Sequence, residues 1–417
     1  MNKPDAELDF VGYRGVAVHP YPATMPLPLA EDLLLTWSEP ESLVLDPFAG
    51  SGTTLVASTK NSRRSVGIDL NPLACLIARV NLMRFSSTVD LGELDWIRKK
   101  VLDALSGAPE LEPSSNQLAR VERWFDPVVV VRLGKLCGAV AQTTRAQDPT
   151  RDFCMVVLSR TVRRCSRARL GELKLWRREE AQPSLDPFEV FNHEFLALAR
   201  DFAATRAVIH PLAPLGTVIH GDSSRVMGEL QAVDLVLTSP PYGDAWTTVA
   251  YGNFSMLSRI WLGAIDSAFV ESDPASEDKL SVGGTKRPRE LAFRRDSRQA
   301  SGTLEAAYGA VYRSSPARAE DLLRFSDDMY EVCVSMRKCL SPNATVVMVV
   351  GPRQVSGVTI DSGQVFVEFL ESLGMRRLER RTRRVSGKRL PSRTVQGQSG
   401  LGDTINDETI DILGISP

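Results

Sequence analysis

Between residues 42 and 69 the chain reads strand, glycine-rich turn, helix, strand, and few folds accommodate that order. Ser42–Leu45 is a short apolar strand. Asp46-Pro47-Phe48-Ala49-Gly50-Ser51-Gly52-Thr53-Thr54 follows, then a helical stretch, Leu55–Lys60, and a second strand, Ser65–Asp69. The glycines allow the backbone to approach a ligand closely, and the helix N-terminus offers free N–H groups. No GK[ST] follows, so the turn is not a Walker loop. The third glycine of the dinucleotide fingerprint is also missing. Asp69 ends the second strand at an offset from Gly50 where an acid can bind ribose hydroxyls. Asn71-Pro72 then opens a helix over Leu73–Asn81. These signals predict an α/β protein with a nucleotide-type ligand at the carboxyl ends of its strands.

A second stretch has the same logic. Val233–Leu237 is a short apolar run, the pattern of a buried parallel strand. Thr238-Ser239-Pro240-Pro241-Tyr242-Gly243 follows it. Each proline fixes its own φ, and Pro241 pushes Pro240 to extended geometry. The result is a stiff loop that offers the Ser239 hydroxyl, free carbonyls and the flat ring of Tyr242. Such a loop suits a planar ring bearing an amine. A proline-rich turn after a core strand is the plainer alternative.

Composition narrows the class. At 43% hydrophobic residues the 417-residue chain is globular, and no apolar run is long enough to span a membrane. The acidic, polar start Met1–Phe10 does not read as a signal peptide. Six cysteines form no CxxC pair and no zinc spacing, so they are expected as reduced core thiols in a cytosolic, cytoplasmic protein. The four histidines include no HxxxH pair and no obvious ligand cluster, which argues against a metal hydrolase.

The Asp46-Pro-Phe-Ala-Gly-Ser-Gly-Thr-Thr turn together with Thr238-Ser-Pro-Pro-Tyr resembles the amino-group DNA methyltransferases that use S-adenosyl-L-methionine. Pro22-Ala23-x-x-Pro26, Ile68-Asp69-Leu70-Asn71-Pro72 and Gly221-Asp222-Ser223 fit the same family. So do Leu340-Ser341-Pro342-Asn343 before Val346–Val350, Lys388-Arg389-Leu390-Pro391, and Ile405-Asn406-x-Glu408. These matches keep one order and cover about half of the chain. The resemblance implies a Rossmann-like, doubly wound methyltransferase sheet. It implies cofactor contacts from Thr24, from Asp46, Pro47, Phe48, Ala49, Gly50, Ser51, Gly52 and Thr53, from Asp69 and Asn71, and from Asp222 and Ser223. Asp69 would hold the ribose and Asp222 the adenine amine. Ser239, Pro240, Pro241 and Tyr242 would form the catalytic loop, on double-stranded DNA with the base flipped out. A companion restriction endonuclease fits the family but is not legible in the sequence.

The chain departs from the family in spacing. The catalytic loop lies almost 190 residues after the glycine turn, so any target-recognition region should be internal. We expect residues 1–84 to form the cofactor half of the catalytic domain, 85–205 a mostly helical insertion and 206–262 the part with the catalytic loop. Residues 263–320 read as a basic, flexible insertion and 321–417 as the end of the catalytic domain. Although the net charge is only −1, basic residues cluster. Arg160, Arg163, Arg164, Arg167 and Arg169 begin a run through Arg178 that holds one acid, Glu172. Lys286, Arg287 and Arg289 form a second group, and Lys388 and Arg389 belong to a third basic run, Arg376–Arg393. Basic residues among aromatics fit phosphate contact, and a solvated helix face explains them equally.

Ser239 stands where adenine-specific relatives usually carry Asp, which favours N4 of cytosine over N6 of adenine. C5 methylation would need a cysteine after a proline, and none of the six follows one. Methylation of RNA or of a protein glutamine, and a non-catalytic DNA-binding module, are the other readings the motifs leave open.

Overall fold

The computed structural model describes residues 18–169, 175–178, 184–208, 216–241, 251–270, 279–285, 297–385, 394–395, 401–402 and 407–416. Its centre is a seven-stranded sheet. The strands are β1 (Leu43–Asp46), β2 (Arg64–Asp69), β3 (Gly216–His220), β4 (Val233–Thr238), β5 (Leu340–Val350), β6 (Met375–Arg384) and β7 (Asp407–Ile415), in the order β3-β2-β1-β4-β5-β7-β6. β1 to β5 pair in parallel, and β7 runs antiparallel to both β5 and β6. This is the Rossmann-like, doubly wound sheet that the sequence implies, with an antiparallel edge. Its order reverses between β1 and β4, so the crevice for a ligand opens at the carboxyl ends of those two strands.

Period-two alternation drives helices onto both faces. Val44, Leu235, Leu237, Val347 and Ile410 point to one side, against α1 (Leu27–Trp37) and α2 (Thr53–Lys60). Leu45, Val236, Val346 and Met348 point to the other. There they meet α11 (Gly302–Ser314), α12 (Pro316–Cys339) and α13 (Ser362–Ser372) through Leu304, Val311, Met329 and Phe366. The expectation of a flexible stretch to residue 320 therefore fails over its last part. Leu304, Ala307 and Val311 recur at helical spacing, and their burial outweighs the local charge that masked them.

A separate helical core joins α3 (Pro72–Arg84), α4 (Leu91–Ala104), α5 (Leu118–Trp124), α6 (Pro127–Thr143), α7 (Pro149–Cys165), α8 (Pro187–Val208) and α10 (Tyr251–Leu262); the short α9 is Ser223–Val226. Proline at the first helical position starts α3, α6 and α7, where its missing N–H costs nothing. Phe153, Phe195, Phe202 and Trp261 are fully buried in this core. All six cysteines are buried and unbridged, as expected. Among the described residues no helix is long and apolar enough to cross a membrane, and no group of His, Cys, Asp or Glu could hold a metal.

β6 is a charged edge strand, a device that discourages edge-to-edge pairing. Three of its arginines are paired: Arg383 with buried Glu408, Arg380 with Asp361, Arg381 with Glu379. Within the described part of the third basic run, Arg380 and Arg383 therefore tie the edge strand to its neighbours.

Candidate active site

The two motif loops meet at the switch point. Asp46 ends β1, and its Oδ1 accepts from Phe48 N at 3.1 Å and from Thr238 Oγ1 at 2.7 Å. One carboxylate thus ties the end of β1 to the end of β4. Asp69 ends β2; its Oδ2 accepts from Gly50 N and its Oδ1 from Asn71 N, both at 2.8 Å. Gly50 and Gly52 have φ of +51° and +84°, where other residues are strained. At Gly52 an added Cβ would lie 2.9 Å from the Ala78 Cβ, so this glycine lets α2 approach α3. Gly50 faces the Tyr21 ring instead.

A pocket of about 160 Å³ lies over this turn. Asp46 to Ser51 and Thr53 form its floor, with Asp69 and Asn71 to one side and Asp222 and Ser223 beyond. Ser239 and Pro241 reach it from the end of β4, and Thr24 from the N-terminal arm. Ser223 Oγ donates to the Pro47 carbonyl, and Asp222 caps α9 by accepting from Ser224 N at 3.0 Å. Asn71 caps α3 and also reaches Ser255 Oγ at 3.3 Å, so its side chain anchors α10. Pro240 is buried behind the loop. Tyr242, Lys286, Arg287, Arg289, Lys388 and Arg389 lie outside the described residues.

Sequence reasoning missed two walls. Tyr251, at the start of α10, stacks on Tyr21 with centroids 5.7 Å apart, and both line the pocket. Val282 and Val332 line the pocket as well. Nothing local announces these residues, which become neighbours only through the fold.

A family model described as DNA methylase matches residues 3–79, the arm and the first two strands of this site. Type II methyltransferase M.MvaI from Kocuria varians is 27% identical over 90% of this chain and 85% of its own length. Type II methyltransferase M.MjaII from Methanocaldococcus jannaschii is 34% identical over 22% of this chain and 16% of its own. Orphan methyltransferase M.BamHII from Bacillus amyloliquefaciens is 40% identical over 16% of this chain and 24% of its own. The chain is thus similar to a type II methyltransferase over nearly its whole length and to the DNA methylase model over its first two strands. Its methyl donor is S-adenosyl-L-methionine.

The pocket of this methyltransferase fits that donor. Burial raises the pKa of both carboxylates; Asp69 reaches about 6, with the charge of nearby Asp46 adding to the burial. Two crowded carboxylates favour a ligand that brings positive charge and hydroxyl donors, as the sulfonium, ammonium and ribose of the donor do.

The arm that carries Thr24 is pinned to the helical core. Buried His19 places Nδ1 2.6 Å from the Pro20 carbonyl and Nε2 2.8 Å from Ser159 Oγ, which lies 2.7 Å from Ser258 Oγ. Burial, followed by the charges of Arg163 and Arg160, depresses its pKa to about 3. The ring is therefore neutral at pH 7.

The arginine run differs from the expectation of free phosphate contacts. Arg160 and Arg164 both pair with Glu194 of α8, and Arg160 also donates to the Val18 carbonyl at 3.0 Å. Arg167 pairs with Asp126. Arg163 is only 8% exposed, donates to the Phe254 carbonyl at 3.0 Å and lies 4.2 Å from the Phe254 ring centroid. These side chains clamp α7 to α8, to the arm and to α10, and their partners are too distant in sequence for local charge counting to find. Arg169 stays at the exposed surface. Arg163→Ala should cost about 2 kcal/mol of stability, read as a lower midpoint in urea. An unchanged midpoint would remove the clamp reading.

Proposed function

We propose that the protein methylates the exocyclic N4 amine of cytosine at a specific site in double-stranded DNA, with the base turned out of the helix. The observation that carries this reading is the meeting of Ser239 and Pro241 with Asp46 and Asp69 in one pocket. An amine acceptor on the β4 loop thus faces the carboxylates that suit the donor. The names of the relatives, type II and orphan methyltransferases, support a place in restriction–modification or in DNA marking without an endonuclease.

An exocyclic amine is a poor nucleophile because its lone pair is delocalised into the ring. S-adenosyl-L-methionine supplies, when bound, a methyl group already activated by sulfonium. The protein's task is alignment and help in pyramidalising the amine. The Ser239 hydroxyl and the Pro240 carbonyl hold the two amine hydrogens and turn the lone pair toward the pocket floor. Tyr242 stacks on the base. Extrusion costs a few kcal/mol, and stacking on one aromatic returns about 1–3 kcal/mol. Other side chains must therefore help to keep the base out.

Cytosine is favoured because position 239 holds a hydroxyl. A carboxylate, the stronger acceptor, suits the less polarised adenine amine, whereas a hydroxyl both donates and accepts and can also face the cytosine ring nitrogen. Incubation with tritium-labelled donor and plasmid DNA, total RNA or a protein mixture separates the substrate classes. Label in DNA alone is the expected result. Label confined to RNA or protein would overturn the proposal.

A further inference from the structure

More support for the extruded base is available on the exposed surface beside α10. Arg167–Arg169 and Trp176–Arg178 run antiparallel, bridged at Ala168 and Arg177. Arg169 N donates to the Trp176 carbonyl at 2.8 Å, and Arg178 N to the Arg167 carbonyl at 2.9 Å. Two anchors fix this ribbon. Arg167 N donates to the Trp124 carbonyl at 2.8 Å, and Leu175 N to Asn253 Oδ1 at 3.0 Å. Asn253 follows Tyr251 and Gly252, both in the pocket wall. The ribbon is therefore held against α10, whose first turn lines the pocket.

On this rigid mount Trp176 is 57% exposed. Trp96 is equally exposed, but Lys100 sits over its ring at 4.7 Å. Among the described residues nothing comparable covers Trp176, and its neighbour Arg177 is exposed as well. A large flat side chain mounted on the helix whose first turn lines the pocket, with a cation next to it, has the chemistry of a stacking wedge flanked by a phosphate contact.

We propose that Trp176 stacks into the DNA duplex beside the target and holds open the space that the extruded base leaves. The inference rests on the DNA-methylating reading above. A wedge matters in proportion to the work of extrusion, and this separates it from a structural tryptophan. When the target is mispaired, the base leaves easily and the wedge becomes dispensable.

The test uses the full chain and a duplex that contains the site mapped by methylation of plasmid DNA. Trp176→Ala should lower kcat/KM for the paired duplex roughly 10- to 100-fold, the range of one lost base-stacking contact. Trp176→Phe should recover most of the activity. On the same duplex with the target base mispaired, Trp176→Ala should come close to the wild type. Cofactor affinity and melting temperature should not move. Wild-type rates for Trp176→Ala on the paired duplex would overturn the proposal, as would a defect equally deep on the mispaired one. A wild-type protein that binds the cofactor but methylates no DNA would instead overturn the functional reading beneath it.

Discussion

Asp69→Ala is expected to weaken S-adenosyl-L-methionine binding by about 100-fold or more. Ribose contact is only part of the reason. Both Asp69 oxygens already accept backbone N–H groups, from Gly50 and Asn71, so the carboxylate also shapes the turn on which the donor rests. Its loss frees two N–H groups and removes an anionic partner at once. The same group predicts a pH dependence. The carboxyl of Asp69 titrates near 6 in the folded protein against an ordinary value of 3.8. The folded state therefore keeps this proton after the unfolded chain has lost it. Alone, the group lowers the stability of the free protein as pH rises from about 4 to about 6. A cationic ligand prefers the ionised form, so donor affinity should climb with pH through that window and level off above it. Calorimetric titration across pH measures both effects. Wild-type affinity in Asp69→Ala would remove Asp69 from the site, and the pH step should vanish in Asp69→Asn.

Ser239→Ala should leave donor affinity within about threefold and slow methyl transfer roughly 10- to 100-fold. A hydrogen bond to the amine that strengthens as the amine pyramidalises acts on kcat rather than on ground-state binding. Ser239 is half-buried at the end of β4 beside Pro241, where loss of one hydroxyl should not disturb the strand. Single-turnover rates at saturating donor and DNA isolate the step. A variant with an unchanged rate would move the acceptor role to another group.

The cofactor half of the fold was legible because short-range rules govern it. Apolar runs, glycines and prolines mark β1, α2, β2 and the cap of α3 within a few residues of each other. The β4 loop announces itself through two prolines after an apolar run. The arginine run was read differently from the structure because its partners are distant: Arg164 and Arg160 lie 30 and 34 residues from Glu194, and Arg167 lies 41 from Asp126. A charge count within a window sees the cations alone. Tyr251 was invisible for a related reason, since its stacking on Tyr21 depends on α10 packing against the arm. The double duty of Asp69 also needed coordinates, because its offset from Gly50 points to ribose but not to the backbone bonds that close the turn.

The central claim is the atom that receives the methyl group. DNA methylated by the purified protein, digested to nucleosides and separated by mass spectrometry, identifies it directly. N4-methyldeoxycytidine is the expected product, its yield strongly reduced when Ser239→Ala or Asp69→Ala replaces the wild type under brief incubation. N6-methyldeoxyadenosine as the sole product would contradict the cytosine assignment while leaving the fold and the donor site in place.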